Sequence, residues 1–417
     1  MQKAIDATSP MTAGYGHGVL QRALDDSFPD EVRSRITGLT VARTMANGCF
    51  RFAVPFLATI ARGNGTTLAG IGIALAISEL SGLLSPLNGE IVERLHRRTA
   101  MVIGLTGVAV GTTLAASSVH PVMFAIALVV IAQSKTMFDL GLGAWLSDRV
   151  PYAQRSRVMG LTETSWALGL LVGVTAMGLV TAATNWRFGY GLGAAAVLCM
   201  AGVISKRIPP DSGPHTRAGR TTREPIVIRQ VAVLMLAMFC LMSSSQVLFV
   251  TLGSWLDDSF DFTPAMLSAV AFGLGFGELI SSITSARNTD RWGKERSAAA
   301  GAMIMIPASI GLALWHEHLV IGLPLLIIAI AAFEFGVVSA IPLGTAVVPG
   351  SPARGMALMF TAGTLGRAAA SIPATSLYEH YGIVWPATMC AVLAAAAVTA
   401  FLTLERRRVA RCFGPEL

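Results

Sequence analysis

The chain has 417 residues, of which 53% are hydrophobic and 13% charged, and its mean hydropathy is +0.62. This composition excludes a water-soluble globular protein of this length and predicts a protein whose apolar surface is covered by lipid. The formal net charge of +7 does not indicate nucleic-acid binding, because the arginines recur in small groups between apolar stretches instead of forming one patch.

The first 35 residues contain several acidic side chains and no apolar run typical of a signal peptide, so residues 1–37 are predicted to form a retained N-terminal tail. A membrane-spanning helix needs about 20 apolar residues, because lipid leaves the backbone no hydrogen-bond partner outside the helix. This criterion predicts twelve spanning helices, at 38–60, 67–87, 99–118, 122–146, 158–182, 188–205, 230–252, 264–285, 297–314, 320–345, 355–375 and 382–404.

One long polar connection, 206–229, divides the chain into two predicted six-helix bundles, 38–205 and 230–404, and residues 405–417 follow as a C-terminal tail. Of the 31 Lys and Arg residues, 25 fall in segments on the side of the N-terminus and only two on the opposite side. Since cytoplasmic loops carry the excess of positive charge, both termini are predicted to be cytoplasmic. The expected location is the bacterial inner membrane, which the chain crosses many times.

An internal repeat supports the division into two halves. The loop after the second predicted helix contains Glu93-Arg94, and the loop after the eighth contains Asp290-Arg291, 197 residues later. A loop arginine after the fourth helix recurs at the same offset after the tenth. Two matches at one offset are typical of duplicated six-helix units.

These loops resemble the signature G-x-x-x-D-R-x-G-R-R of the major facilitator superfamily. The first copy has Gly89, Glu93 in place of the usual Asp, Arg94, Arg97 and Arg98, and the second copy has Asp290, Arg291, Gly293 and Lys294. The resemblance implies an all-α fold of two bundles that rock about a central cavity lined by helices one, four, seven and ten. Segments such as Ser147-Asp148-Arg149 also resemble bacterial proton-coupled drug or sugar efflux permeases. No nucleotide, metal or hydrolase motif accompanies them, so neither a cofactor nor enzymatic activity is expected.

Nine ionisable residues fall inside the predicted helices: Arg43, Arg51, Glu79, Lys135, Asp139, Glu163, Glu278, Glu334 and Arg367. Each costs about 3 kcal/mol at mid-depth when unpaired. We therefore expect them to pair, to face a wet cavity or to lie near an interface.

The strongest candidate cluster is Arg51, Lys135, Asp139 and Glu334, because the resemblance implies that helices one, four and ten line the cavity. Arg51, Lys135 and Glu334 are expected near mid-depth, and Asp139 closer to the cytoplasm. A carboxylate that pairs with a cation in one state and meets water in another can couple a proton, so Asp139 or Glu334 is the leading proton carrier. Arg51 and Lys135 could instead bind an anionic group of the substrate, and Gln246 is a further cavity candidate. The alternative is that Lys135 and Asp139 form a permanent structural pair.

The remaining charges suggest contacts between the halves. In the family that the loops resemble, helices two and eleven meet across the two halves, so Glu79 and Arg367 are expected to pair there as a latch that stabilises one cavity-open state. A proton role for Glu79 is the alternative. Glu163 and Glu278, at the junction of helices five and eight, could titrate or face water. Arg43 is expected to extend to the membrane interface.

The loop cations have two possible roles. Arg94, Arg97 and Arg98 could engage Asp148 at the cytoplasmic end of helix four and hold the outward-open state. They could also serve only to orient the protein in the membrane.

The sequence thus predicts a secondary transporter that exports a small organic molecule, such as a drug or metabolite, in exchange for protons. A proton-coupled importer of a sugar, nucleoside or organic anion is an open alternative, as is a lipid flippase or membrane sensor on the same fold. Function as a monomer is expected.

Overall fold

The computed structural model describes residues 24–53, 56–66, 68–209, 228–262 and 264–412. Most of the predicted polar connection and of the N-terminal tail therefore lies outside the described residues. All regular elements in the described ranges are helices, and the α-helices are α1 (Asp30–Arg51), α2 (Leu57–Gly63), α3 (Leu68–Leu80), α4 (Ser85–Arg94), α5 (Arg97–Ala116), α6 (Pro121–Arg149), α7 (Arg155–Leu168), α8 (Thr175–Ala183), α9 (Trp186–Arg207), α10 (Ile228–Phe260), α11 (Pro264–Trp292), α12 (Lys294–Trp315), α13 (Leu319–Val347), α14 (Pro352–Tyr381) and α15 (Val384–Cys412). A π-helical turn, Gly169–Val174, joins α7 to α8.

Within the described residues, eight helical runs are long and apolar enough to cross a membrane: Arg97–Ala116, Pro121–Arg149, Tyr152–Ala183, Trp186–Arg207, Ile228–Phe260, Lys294–Trp315, Leu319–Val347 and Val384–Arg406. The other four predicted spans are also helical, in α1 with α2, α3 with α4, α11, and α14. They are not among these eight runs, and each carries at least one ionisable side chain in its predicted span: Arg43 and Arg51, Glu79, Glu278, and Arg367. The all-α membrane fold is confirmed, and the count of twelve spans remains a prediction.

Several helices are longer than the apolar runs that predict them. α1 begins at Asp30 instead of residue 38, α11 continues to Trp292, and α15 continues to Cys412. Helical hydrogen bonding does not stop where the apolar run stops. In α1 it starts with Asp30 and Glu31, whose negative charges are favourable near a helix N-terminus.

Each half of the chain packs mainly on itself. In the first half α5 packs against α6 and α9, and in the second half α12 packs against α13 and α15 while α10 packs against α14 and α15. The halves meet at two junctions, where α7 contacts α11 and where α4 contacts α14. These junctions correspond to predicted helices five with eight and two with eleven.

The loops gather at two opposite ends of the helices. At one end Arg35 Nε donates to the carbonyl of Arg207 at 3.1 Å, so the start of α1 lies beside the end of α9. We call this end the terminal side. At the opposite end, the distal side, Arg187 Nη2 donates to the carbonyls of Gly63 (3.1 Å) and Ser118 (2.8 Å). The charge distribution predicts that the terminal side is cytoplasmic.

The structure explains why two positions of the signature loops, both on the terminal side, are occupied by glycine. Gly293, between α11 and α12, has a φ of +92°, which a residue with a Cβ rarely adopts. Gly89 lies where α4 crosses α14, and a Cβ there would be 2.8 Å from the Ala357 Cβ. The glycine therefore permits close contact between the two halves.

Candidate functional site

A buried ion-pair cluster joins α1, α6 and α7. Arg43 Nε donates to Asp139 Oδ1 at 2.9 Å, and Arg43 Nη1 lies 2.6 Å from Glu163 Oε1. Lys135 Nζ donates to Asp139 Oδ2 at 2.5 Å. Asp139 is therefore held by two cations, and the four side chains, which we call the Arg43 cluster, are almost fully buried.

The expected interfacial position of Arg43 is wrong. Because α1 begins at Asp30, Arg43 lies in its middle turns, where it is 6% exposed. An unpaired guanidinium is costly in such an environment, and the two carboxylates that face it from α6 and α7 offset that cost. The predicted pair of Lys135 with Asp139 is present as one part of this larger cluster.

Arg51 and Trp166 lie beside this cluster. Arg51 Nη1 donates to the carbonyl of Trp166 at 3.1 Å, and the guanidinium lies 4.7 Å from the centre of the Trp166 ring. Glu278 Oε2, on α11 of the other half, is 3.9 Å from Arg51 Nη1. The ring of Trp166 also lies 5.2 Å from Lys135 Nζ.

Trp166 is absent from the residues predicted for the site. It follows Glu163 by three residues, which is one helical turn along α7. An aromatic residue one turn from an intramembrane charge is the sequence feature that could have identified it as part of the site.

Glu334 on α13 is placed differently from the other acids. It is 6% exposed and accepts a hydrogen bond from Ser282 Oγ at 3.2 Å. Among the described residues, no Lys or Arg nitrogen lies within the 4.0 Å of an ion pair with it. The charges that act on it are those of Glu278, Glu163 and Arg51, two negative and one positive.

The charges of this region do not balance. Seven ionisable side chains belong to it, three cations and four carboxyls: Arg43, Arg51, Lys135, Asp139, Glu163, Glu278 and Glu334. Arg367 also acts electrostatically on Arg51, but it pairs with Glu79 at 3.3 Å, and that pair adds no net charge. With every group ionised, one negative charge is left over. Within the described ranges, Glu334 is the carboxyl of this group that has no cation at ion-pair distance.

A cavity of about 270 Å³ lies between the halves, next to Arg51 and Glu278. Its wall is mainly apolar and is formed by Arg51, Leu170, Phe249, Leu252, Gly253, Leu274, Gly275 and Glu278. Of the predicted cavity residues, Arg51 lines it, whereas Lys135, Asp139 and Glu334 are buried and do not line it. Gln246 instead donates to Ser371 Oγ on α14 at 3.1 Å.

Glu79 and Arg367 are close to each other across the second junction. Arg367 Nη2 on α14 lies 3.3 Å from Glu79 Oε2 on α3, and their side chains are 40% and 48% exposed. Sequence analysis predicts this pair as a latch, and the latch role remains a prediction.

On the terminal side, two carboxylates bind helix N-termini of the opposite half. Glu93 Oε1 accepts a hydrogen bond from the Ala353 amide of α14 at 2.8 Å. Asp290 accepts from the amides of Ser156 (3.2 Å) and Arg157 (2.9 Å) at the start of α7. Free amides at a helix N-terminus favour an anion.

These contacts follow the internal repeat. The acids are 197 residues apart, and so are Ser156 and Ala353, whose amides they bind. The two halves are therefore joined on the terminal side by equivalent bonds, one from each copy of the repeat.

The loop cations support the same acids. Arg97 contacts both Glu93 Oε2 and Asp148 Oδ2 at 3.0 Å, and Lys294 Nζ lies 2.8 Å from Asp290 Oδ1. Arg97 thus makes the predicted contact with Asp148. The other cations of the signature are placed further out: Arg94 is 81% exposed and pairs with Glu90 at 3.6 Å, Arg98 is half-buried and Arg291 is exposed.

Known proteins with similar sequences are transporters. The family model of the Major Facilitator Superfamily matches residues 36–234 and again 234–415. The uncharacterized MFS-type transporter YwfA of Bacillus subtilis (strain 168) is 24% identical over 254 residues, which are 58% of this chain and 61% of YwfA. The chain thus covers less than two thirds of this relative's length.

Solved structures share the fold at low sequence identity. The human organic anion transporter MFSD10 (TETRAN) superimposes with a TM-score of 0.72 and 18% identity, covering 90% of this chain and all of the other. The proton:xylose symporter XylE gives a TM-score of 0.73 and 12% identity, covering 89% of this chain and 96% of its own. At these identities the likeness shows the fold alone, and the family follows from the two matches of the family model. The chain belongs to the Major Facilitator Superfamily, whose members are transporters and not enzymes.

Proposed function

We propose that this transporter exports a small organic molecule in exchange for protons and that Glu334 carries the proton. The observation that carries the proposal is the unbalanced charge around Arg51 and Arg43. A buried carboxylate with no cation bears the full cost of desolvation, and a bound proton removes that cost. One proton on Glu334 makes the region electrically neutral.

The comparison with Asp139 supports this choice between the two predicted carriers. Asp139 has Arg43 and Lys135 at 2.9 and 2.5 Å, so its charge is already neutralised by side chains of its own half. Glu334 interacts with Arg51 and Glu278, which lie on helices of opposite halves. Relative motion of the halves would change the charges near Glu334 and leave those near Asp139 in place.

The contacts between the halves are compatible with alternating access. The carboxylate bonds of Glu93 and Asp290 hold the terminal side together, and the cavity next to Arg51 lies between the halves. Rocking of one half against the other would break these few bonds and leave the packing inside each half intact. Glu79 and Arg367, which lie on opposite halves, would separate in the same motion.

The cavity wall favours an amphipathic substrate. Leu170, Phe249 and Leu252 offer apolar contacts, while Arg51 and Glu278 offer one positive and one negative group. The pair between these two is long, at 3.9 Å, so a charged group of the substrate could compete for either partner. A molecule with an apolar body and a single ionised or strongly polar group fits this wall.

Proton movement supplies enough energy for export. One proton that crosses about 150–200 mV provides roughly 4 kcal/mol, which sustains about a thousandfold gradient of a neutral solute. Import by symport uses the same fold and the same carrier, so the direction of transport has to be measured.

The test uses inverted membrane vesicles that contain the protein, with a pH-sensitive dye inside. After acidification of the interior, drugs, sugars, nucleosides and organic anions are added singly, and substrate-dependent proton release is recorded. We expect release with the unaltered protein and none with Glu334→Gln. Glu317→Gln, which changes a carboxyl of the α12–α13 loop, is the matched control. Unaltered proton release by Glu334→Gln would refute the carrier assignment, and proton uptake on substrate addition would indicate symport.

A further inference from the structure

Buried hydroxyl groups lie between α11 and α13 on the terminal side of Glu334, one bonded to Glu334 itself and three bonded to one another. Ser282 Oγ donates to Glu334 Oε1 at 3.2 Å. One helical turn further along α11, Ser285 Oγ lies 3.0 Å from Ser339 Oγ and 3.0 Å from Thr289 Oγ1, and the last two oxygens are 2.8 Å apart. These four hydroxyl residues are at most 1% exposed, and we call them the hydroxyl chain.

The bonding of this chain differs from that of other hydroxyls in the protein. Thr40, Thr112 and Thr251 donate to backbone carbonyls one turn earlier in their own helices, as Ser and Thr usually do in helices. Ser285, Thr289 and Ser339 form a closed ring in which each oxygen can donate or accept. Interchangeable donors and acceptors are what a proton relay needs, because each hydroxyl must take one proton while it gives up another.

Packing alone does not account for the position of the ring. Ser281 provides a hydroxyl that joins the same two helices by donating to the Ala331 carbonyl at 2.7 Å. That bond joins α11 to α13 and ends on a backbone carbonyl, which cannot pass a proton on. The hydroxyl chain instead begins at a buried carboxyl that has no cation at ion-pair distance in the described part of the chain. It ends at Thr289, the residue before Asp290, whose side chain is 19% exposed.

We propose that the hydroxyl chain is the route by which Glu334 releases its proton to the terminal side. The proposal rests on the proposed function, since it takes Glu334 as the proton carrier. The O–H bond of the protonated Glu334 breaks as an O–H bond forms on Ser282, and Ser282 passes its own proton on. The structure gives no hydrogen bond between Ser282 and Ser285, whose backbones are about 4.5 Å apart in helical rise, so the proposed route includes one water molecule between their hydroxyls. One proton leaves Glu334 and one leaves Thr289, and every hydroxyl group along the route ends with the same number of protons that it had at the start.

The end of the route lies beside the bonds that close the terminal side. Thr289 precedes Asp290, whose two oxygens accept hydrogen bonds from α7 of the other half and from Lys294. While these bonds hold, both oxygens of the Asp290 carboxylate accept hydrogen bonds and are not free to take a proton from Thr289. When rocking separates the halves, Asp290 loses the two α7 amides and can accept the proton. The same residue would thus close the terminal side and permit proton release only after that side opens, which prevents a leak in the closed state.

The experiment follows the proton on Glu334 directly. The full-length protein is reconstituted in one orientation into liposomes of phosphatidylethanolamine and phosphatidylglycerol. The solution at the terminal side is jumped to higher pH, and the carbonyl stretch of the protonated carboxyl is followed by time-resolved infrared spectroscopy. Loss of this band in Glu334→Gln identifies it.

Two substitutions interrupt the chain without touching Glu334 or its hydrogen-bond partner. Ser285→Ala removes the first hydroxyl of the ring and Thr289→Val the last, and each should slow the decay of the band by about tenfold, the effect of losing one hydrogen bond along the path. Ser285→Thr and Thr289→Ser keep a hydroxyl and should restore the rate. Ser281→Ala removes the neighbouring hydroxyl that joins the same helices, and it should leave the rate unchanged.

The outcomes separate this inference from the proposed function. If Ser285→Ala and Thr289→Val decay as fast as the unaltered protein, the hydroxyl chain is not the route, while Glu334 remains the carrier. If Ser281→Ala slows the decay equally, helix packing explains the effect and the relay is refuted. If Glu334→Gln removes no band at any pH, Glu334 does not bind a proton and the proposed function fails first.

Discussion

Replacing Arg43 by methionine tests the charge accounting of the buried region. Arg43 neutralises Asp139 and Glu163 at 2.9 and 2.6 Å, and it is 6% exposed. In Arg43→Met only Lys135 is left to face two carboxylates. Removal of one partner from a buried ion pair costs about 3–5 kcal/mol, because the partner's charge remains buried without compensation. We expect a loss of stability of this size.

The assay is thermal unfolding in detergent micelles, followed by tryptophan fluorescence. Asp26→Asn is the matched control: it removes an ion pair with Arg33 that is equally short, at 2.8 Å, but whose carboxylate is 95% exposed. An exposed pair contributes at most about 1 kcal/mol, so the control should unfold near the temperature of the unaltered protein.

A second variant identifies the cause of the destabilisation. Arg43→Met with Glu163→Gln leaves Lys135 and Asp139, a neutral pair, and should recover part of the lost stability. If Arg43→Met is as stable as the control, or if the double variant is no more stable than Arg43→Met alone, the charges of this cluster do not determine its stability and the reasoning is refuted.

Three further predictions concern the contacts between the halves. Asp290→Asn should increase the labelling of Met356→Cys by a membrane-impermeant maleimide by about tenfold, because it weakens charge-assisted bonds that close the terminal side; equal labelling would contradict the closing role. Gly89→Ala should have the same effect, since its Cβ would lie 2.8 Å from the Ala357 Cβ and push α4 from α14; a labelling rate below that of the parent would be inconsistent with this. Arg367→Gln should change the unfolding temperature little, because the pair with Glu79 is about half exposed, yet slow transport of any substrate found by the vesicle screen; a large stability loss would indicate a structural pair instead.

The sequence determined the type of fold because that information is local. Apolar runs of about 20 residues predict membrane helices from the solvation of each segment alone. The excess of Lys and Arg on one side predicts orientation in the same way. The repeat of Glu93-Arg94 as Asp290-Arg291 predicts two duplicated halves, and the structure adds that both acids bind a helix N-terminus of the opposite half.

The partners of the buried charges were only partly predictable. The pair of Lys135 with Asp139 could be predicted, because side chains four residues apart on a helix lie on one face. Arg43 was misplaced, since its depth was measured from an assumed start at residue 38, whereas polar residues extend α1 back to Asp30. A helix boundary in polar sequence leaves no mark in hydropathy, and an error of two turns moves a residue from the interface to the interior.

Contacts between distant segments required the tertiary structure. The direction in which a side chain points and the neighbour it meets depend on how helices rotate and cross, and a single sequence does not encode that in any local pattern. The ring of Ser285, Thr289 and Ser339 is an example: three common residues on two helices become connected only when those helices pack together. For this protein, the sequence by itself determined that lipid covers the apolar surface, that the chain is helical and that it resembles a known family. The tertiary structure decided which charges neutralise one another and, among the residues it describes, left Glu334 without a cation at ion-pair distance. The reason is that pairing energies depend on distances of a few ångströms between helices that are far apart in the chain.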